Sequence, residues 1–299
     1  MPVTKKKVLE DLTAAEKAVR RRETNVALHE IEQAKAGVAQ LREPAPPVPA
    51  PTPEPPPAPQ PTPPPPAPAP TYPPAAPNIG AFRTIYDFPE RLLASSSRAQ
   101  MVPDPAGSDR SVISLTCLNG DTGNPTPNPR AQLGTAYILK PESTYWGRTR
   151  IFFPKDFPTF RTWMTLVSIW APPYGGDGAP FHFMSWNGTN LEVERNSNSH
   201  DDTPLAMPIT RGQWMDLLWC ERLSKTDGFV EVWVDGKQQT FENGQARLAY
   251  PTIDNTNSGG NQNLRLEVYY AHNGIPNGQP VTVLFDGLYV GTSRESVGA

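Results

Sequence analysis

Two hydrophobic periods divide the chain. Over residues 4–43 apolar side chains recur every three or four positions, at Val8, Leu12, Ala15 and Val19 and again at Ala27, Ile31, Ala34, Val38 and Leu41. This is the coiled-coil-like spacing that lines one stripe of a helix. The step from Val19 to Ala27 across Arg20, Arg21 and Arg22 breaks the heptad by one residue, as a stutter or a helical hairpin near Thr24 and Asn25 would. A helix so short and alanine-rich is marginal alone, so the stripe predicts an anchor or oligomerisation segment that needs a partner.

From Ile79 onward the period changes to two. Strand-like runs are Ser111 to Leu118, Gln132 to Leu139, Thr149 to Phe153, Thr165 to Trp170, Phe181 to Trp186, Asn190 to Arg195, Phe229 to Val234, Leu264 to Tyr270 and Val281 to Val290. Turn pairs follow several of them: Asn119-Gly120, Asn187-Gly188 and Asp235-Gly236. Many short strands with no long helix between them predict an all-β, antiparallel two-sheet sandwich.

Composition separates the two parts. Of 38 prolines, 20 fall between Pro44 and Pro77. A segment more than half proline builds neither helix nor sheet, and as polyproline II it spans at most about 100 Å. The expected layout is a helical segment (1–43), a proline-rich linker (44–78) and a globular domain (79–299). All 7 Trp and all 11 Phe lie in the last part, which is large enough to bury a substantial core. A net charge of −3 gives no basic field, so a nucleic-acid partner is not expected. The basic start Met1 to Lys7 leads into Val8-Leu-Glu-Asp-Leu12 rather than an apolar run, so neither a secretory signal nor a membrane span is expected. Cys117 and Cys220 fall inside strand patterns and read as buried free thiols, with a bridge between them the alternative.

The order of several short motifs resembles the jelly-roll polysaccharide lyases of the glucuronan and heparin lyase type, with a concanavalin-like fold. In the front half these are Arg130-Ala-Gln-Leu, Glu142-Ser-Thr-Tyr-Trp-Gly147 and Ile151-Phe-Phe-Pro-Lys-Asp-Phe157. In the back half they are Ile209-Thr-Arg-Gly-Gln-Trp214, Thr226-Asp-Gly-Phe-Val-Glu-Val-Trp-Val-Asp-Gly-Lys237 and Val283-Leu-Phe-Asp-Gly-Leu-Tyr-Val-Gly291. Together they cover most of residues 82–297. Most of them are scaffold: in Phe229 to Val234 the valines face one side, Glu231 and Trp233 the other.

The resemblance implies a site on three neighbouring strands carrying Arg-x-Glu, Gln-x-His and Lys-x-Gly-x-Tyr. Such a site removes the C5 proton of a uronate, which requires a base, an acid and donors for the carboxylate. Arg130 and Gln132 supply the first strand in part. Arg265, Glu267 and Tyr269 stand at the Lys, Gly and Tyr positions. The middle triplet reads Ser168-Ile169-Trp170, without Gln or His, and an indole cannot shuttle a proton. His182 is the imidazole whose strand could replace it, so if the chain is active the implied catalytic set is His182, Tyr269 and Arg130. Glu192 and Glu194 share a strand face, as a glycosidase pair would, and read as a solvated strand edge. Asp201, Asp202 and Asp286 have no recognisable calcium-ligand spacing, so no cofactor or metal is expected.

What remains is a cleft of aromatic and planar polar groups: Arg130, Gln132, Trp170, Tyr174, Trp186, Arg265, Glu267 and Tyr269. Sugars stack on aromatic planes and Arg or Gln donors hold their hydroxyls and carboxylates. Helix, spacer and head in this order resemble a virion appendage of a bacteriophage, such as a minor tail protein. The leading expectation is therefore a virion protein that displays a glycan-binding head. Its expected partners are other virion proteins, through residues 4–43, and a host-surface polysaccharide, with homo-oligomerisation possible. Two alternatives stay open: an active polysaccharide lyase or hydrolase, and a decoration domain without a ligand.

Overall fold

The computed structural model describes residues 79–121, 128–160, 162–170, 181–197, 200–253, 260–271 and 279–299, with the side chains of residues 181–182, 196–197 and 200–202 excepted. The expected helix and proline-rich linker lie outside the described residues, as does Tyr174.

Sixteen strands build the described part: β1 (Gly80–Phe82), β2 (Glu90–Leu93), β3 (Ala99–Pro103), β4 (Ser111–Cys117), β5 (Arg130–Gly134), β6 (Ser143–Phe152), β7 (Met164–Trp170), β8 (Phe181–Ser185), β9 (Asn190–Ser197), β10 (His200–Pro208), β11 (Trp214–Leu223), β12 (Phe229–Val234), β13 (Lys237–Gln238), β14 (Leu248–Ala249), β15 (Asn263–Tyr270) and β16 (Val281–Gly291). They form two antiparallel sheets. One has nine strands in the order β13-β12-β11-β6-β16-β4-β3, with β1 added beside β16 and β14 beside β12. The other has seven, in the order β10-β9-β8-β7-β15-β5-β2. The all-β jelly-roll sandwich expected from the sequence is the fold observed.

Alternation along each strand sends one set of side chains between the sheets. On β15 these are Leu264, Leu266, Val268 and Tyr270, and on β12 Val230 and Val232, all in one continuous core. Trp219 of β11 packs edge-on against Phe183 of β8, at 5.4 Å between centroids, and ties the sheets together. The indole occupies the space above Gly147, where a Cβ would come within 2.1 Å of Cζ2. The Asp235-Gly236 hairpin has both residues at positive φ, +50° and +79°, as a type I′ turn requires.

The outer face of the nine-stranded sheet is also apolar. Leu218, Cys220, Trp233, Tyr289 and Val297 form a second cluster there, with Trp146 and Phe229 against it. Trp146 and Trp233 stack at 5.2 Å. This explains why β11 is not among the alternating runs, although Cys220 reads as lying in a strand: with both faces covered, Trp214 to Leu223 does not alternate between apolar and polar. The run expected from Gln132 to Leu139 is shorter and earlier, because β15 pairs with Arg130–Gly134 and Leu139 makes only an isolated bridge to Gln262. Cys117 and Cys220 are buried free thiols, each pushed up to about 12 by burial.

Candidate functional site

The three strands singled out by the resemblance are neighbours, with β15 in the middle. Against β5, Tyr269 stands opposite Arg130, Glu267 opposite Gln132 and Arg265 opposite Gly134. Against β7, Tyr269 stands opposite Thr165, Arg265 opposite Ser168 and Asn263 opposite Trp170. Because directly opposed residues share a sheet face, this whole set lies on the face turned away from the core. The β15–β7 ladder shifts between Leu266 and Tyr269, and the β7–β8 ladder between Thr165 and Val167. Two adjacent irregularities bend the sheet and re-aim side chains at the centre of this face.

The polar side chains there are packed against one another. Arg130 is 6% exposed, Gln132 1%, Arg265 1% and Glu267 0%. Gln132 Nε2 donates to Glu267 Oε2, and Gln132 Oε1 accepts from Arg130 Nη1 at 3.5 Å. The Arg130 guanidinium lies 4.3 Å from the centroid of the Tyr269 ring. Asn128 Nδ2 donates to the Tyr269 hydroxyl at 3.3 Å, and Trp163 meets the ring edge-on at 4.8 Å. Burial raises the Glu267 carboxyl above the usual range, while Arg265, Ser168, Gln132 and Arg130 work in the opposite direction. A shared environment thus holds Glu267, Gln132 and Arg130 in a line that ends on Tyr269.

A second set flanks the first. Arg265 Nη2 reaches Glu90 Oε1 at 2.9 Å, and Asn263 Nδ2 donates to Glu90 Oε2 at 2.5 Å. Gly134 makes the room, since a Cβ there would come within 2.6 Å of Glu90 Oε2. Trp170 Nε1 donates to Ser168 Oγ at 2.7 Å, and the Arg265 guanidinium lies 5.0 Å from the Trp170 ring centroid.

The structure corrects two expectations. Arg130 and Arg265, expected to line the cleft, are buried in the network, and the half-buried members are Tyr269, Trp170 and Trp163. Glu192 and Glu194 are not at a solvated strand edge. Their strand β9 runs between β8 and β10, they are 7% and 9% exposed, and burial pushes Glu192 up to about 7. The β7 residue opposite Tyr269 is Thr165, with Trp170 further along at Asn263.

His182 lies on β8 between Ser168 of β7 and Glu194 of β9, with its side chain outside the described residues. Trp186 follows β8 and is 40% exposed. Asp286 is engaged by Arg150 and Arg110 at 3.0 and 3.1 Å. Among the described residues no group of three or more His, Cys, Asp or Glu is arranged to hold a metal ion.

Sequence reasoning missed Trp163, Asn128 and Glu90. Trp163 was within reach, since it precedes Thr165 by two and alternation puts both on one face. Glu90 was not, because its link to Arg265 spans 175 residues.

Comparisons with known proteins bear on the family and the fold. The family described as Polysaccharide lyase matches residues 81–288. Among solved structures, an endo-β-1,4-glucuronan lyase from the fungus Trichoderma reesei is 12% identical, with a TM-score of 0.57 over 73% of this chain and 96% of that one. The catalytic domain of a GH131 β-glucanase from Podospora anserina is 11% identical, with a TM-score of 0.49 over 71% and 87%. An alginate lyase from a Chlorella virus is 10% identical, with a TM-score of 0.44 over 66% and 89%. No curated protein sequence matches the chain.

Proposed function

Because the chain belongs to the polysaccharide lyase family, we propose that its jelly-roll domain cleaves an acidic polysaccharide by β-elimination on the outer face of the seven-stranded sheet, with Tyr269 moving the proton. The observation that carries this reading is the setting of Tyr269: a half-buried hydroxyl held by Asn128, with Arg130 against one side of its ring and Trp163 against its edge.

In the reaction the Tyr269 oxygen takes the proton from C5 of a uronate. The electron pair of that C–H bond forms the C4=C5 double bond while the bond from C4 to the glycosidic oxygen breaks. As that bond breaks the Tyr269 hydroxyl gives its own proton to the leaving oxygen, so it ends with one proton as it began, and one group serves as base and acid when both atoms lie on one side of the sugar. Asn128 is the donor assigned to the uronate carboxylate, and Arg130, buried against the Tyr269 ring, lends positive charge from behind it; neutralising the carboxylate lowers the barrier to losing the C5 proton. Glu267 and Gln132 act through Arg130 and position it.

The first polymer to test is β-1,4-glucuronan, the substrate in the name of the Trichoderma reesei lyase. Purified protein should generate the ultraviolet absorbance of the new double bond. Tyr269→Phe should lower kcat by at least about 10²-fold with the fold unchanged by circular dichroism. His182→Ala should retain turnover; its near-complete loss would instead move the base to β8.

A second reading, glycan binding without turnover, is favoured by one observation: the β7 positions facing Tyr269 and Arg265 carry Thr165 and Ser168 rather than an imidazole. In that reading the expected anchor and spacer display the head from a bacteriophage virion, through partners bound at residues 4–43, toward a host-surface polysaccharide. Binding to uronate polymers with no unsaturated product would select it.

A further inference from the structure

We infer that the glycan lies across the strands along the line Arg130, Tyr269, Trp163, Trp186, and that the two indoles form a stacking subsite for equatorially substituted pyranoses beside the cleavage point. This rests on the lyase reading of Tyr269. The four residues belong to, or directly adjoin, four consecutive strands, β5, β15, β7 and β8. Three strand spacings make the line about 14 Å long, room for a short run of sugars.

Register and alternation place each member. Arg130 and Tyr269 are opposed, and Tyr269 is opposed to Thr165. Trp163 precedes Thr165 by two residues, and its ring edge meets Tyr269 at 4.8 Å. Ser185 pairs with Met164, so Trp186 follows beside Trp163 at the same end of the sheet. Neither indole belongs to the core between the sheets.

Trp186 stands on a rigid support. The Gly188 amide donates to Ser185 Oγ at 2.9 Å, the Thr189 amide to Asn187 Oδ1 at 2.8 Å, and Arg211 Nη2 to the Gly188 carbonyl at 2.7 Å. Gly188 sits at φ +71°, and a Cβ there would come within 2.3 Å of the Pro158 carbonyl oxygen. A large indole left 40% exposed on so fixed a hairpin buries no core surface, whereas a flat sugar face would cover it.

The line is chemically polar. Its Arg130 end, where the buried guanidinium lends positive charge behind the Tyr269 ring and Asn128 stands at the hydroxyl, suits a carboxylate, and its indole end suits a ring whose C–H face is not interrupted. A pyranose with all substituents equatorial has two such faces, and axial oxygens spoil them. The subsite therefore selects β-1,4-linked, gluco-configured chains over guluronate-type chains.

The test uses the full chain carrying Tyr269→Phe, titrated calorimetrically with a glucuronan hexasaccharide and with a guluronate hexasaccharide. Adding Trp186→Ala should weaken glucuronan binding about five- to tenfold and shrink the preference for it, with the melting temperature unchanged. Trp163→Ala should do the same, and Trp163→Phe should restore most of the affinity. Wild-type affinity in the Trp186→Ala protein, an equal loss for both polymers, or binding of neither polymer would overturn the inference. If Tyr269→Phe still cleaves while Trp186→Ala loses affinity, the lyase assignment of Tyr269 fails and the subsite stands.

Discussion

Two buried glutamates on opposite sheets show how differently this fold treats the same group. Glu267 of the seven-stranded sheet is 0% exposed and Glu221 of the nine-stranded sheet 1%, and burial raises both carboxyls. Glu267 faces away from the core, takes a hydrogen bond from Gln132 and feels Arg265 and Arg130. Glu221 points between the sheets, where Trp219 Nε1 donates to Oε1 at 3.4 Å and Oε2 has no hydrogen-bond partner among the described residues. Its carboxyl is pushed up to about 8, so it is mainly protonated at neutral pH. Burial alone therefore marks neither as functional. What distinguishes Glu267 is that its partners lead, through Gln132 and Arg130, to a half-buried hydroxyl.

The strongest way to break this comparison is at Glu221's only described partner. Gly147→Ala puts a Cβ where the Trp219 indole lies, and should cost about 3 kcal/mol of stability by chemical denaturation. Its kcat per folded molecule should match wild type; a loss of activity in the folded fraction would tie the core to the site.

Glu267→Gln addresses the other side. It removes the carboxylate that receives Gln132, and we expect kcat/KM on glucuronan to fall about tenfold, or ~1.4 kcal/mol in transition-state stabilisation, with little change in melting temperature. A large drop in stability without an effect on kcat would make Glu267 a scaffold residue like Glu221.

Glu221→Gln has the smallest expected effect on activity. The folded carboxyl titrates near 8 rather than near the ordinary 4.5, so the folded chain keeps a proton that the unfolded chain gives up between these values. This contribution is fully present below about 4.5 and is lost as pH rises through about 8. The wild-type melting temperature should fall by on the order of ten degrees from pH 5 to pH 8, and the Gln variant should show a flatter profile with activity unchanged. Equal slopes for both proteins would mean that Glu221 is ionised in the fold.

Much of this was legible in the sequence. The period of two from Ile79 onward, the Asp235-Gly236 turn and the sharing of a face by Arg265, Glu267 and Tyr269 are local properties, set by alternation and turn stereochemistry. The pairing of Arg130 and Gln132 with that strand was implied by resemblance and is observed. The alternation of strand β11 was hidden because its outer face is apolar as well, and Glu192 looked solvated because nothing local reveals that β10 covers the far side of its strand.

By itself, then, the sequence determined which side chains alternate together and where the chain turns, since these depend on neighbours a few residues away. Only the tertiary structure decided that Thr165 faces Tyr269, that Glu90 holds Arg265, and that two arginines expected to line the cleft are buried. Those outcomes depend on which distant strands pair and in what register. That choice is made by burying apolar faces across the whole sandwich, where a shift of one residue would turn every side chain of a strand to the other side.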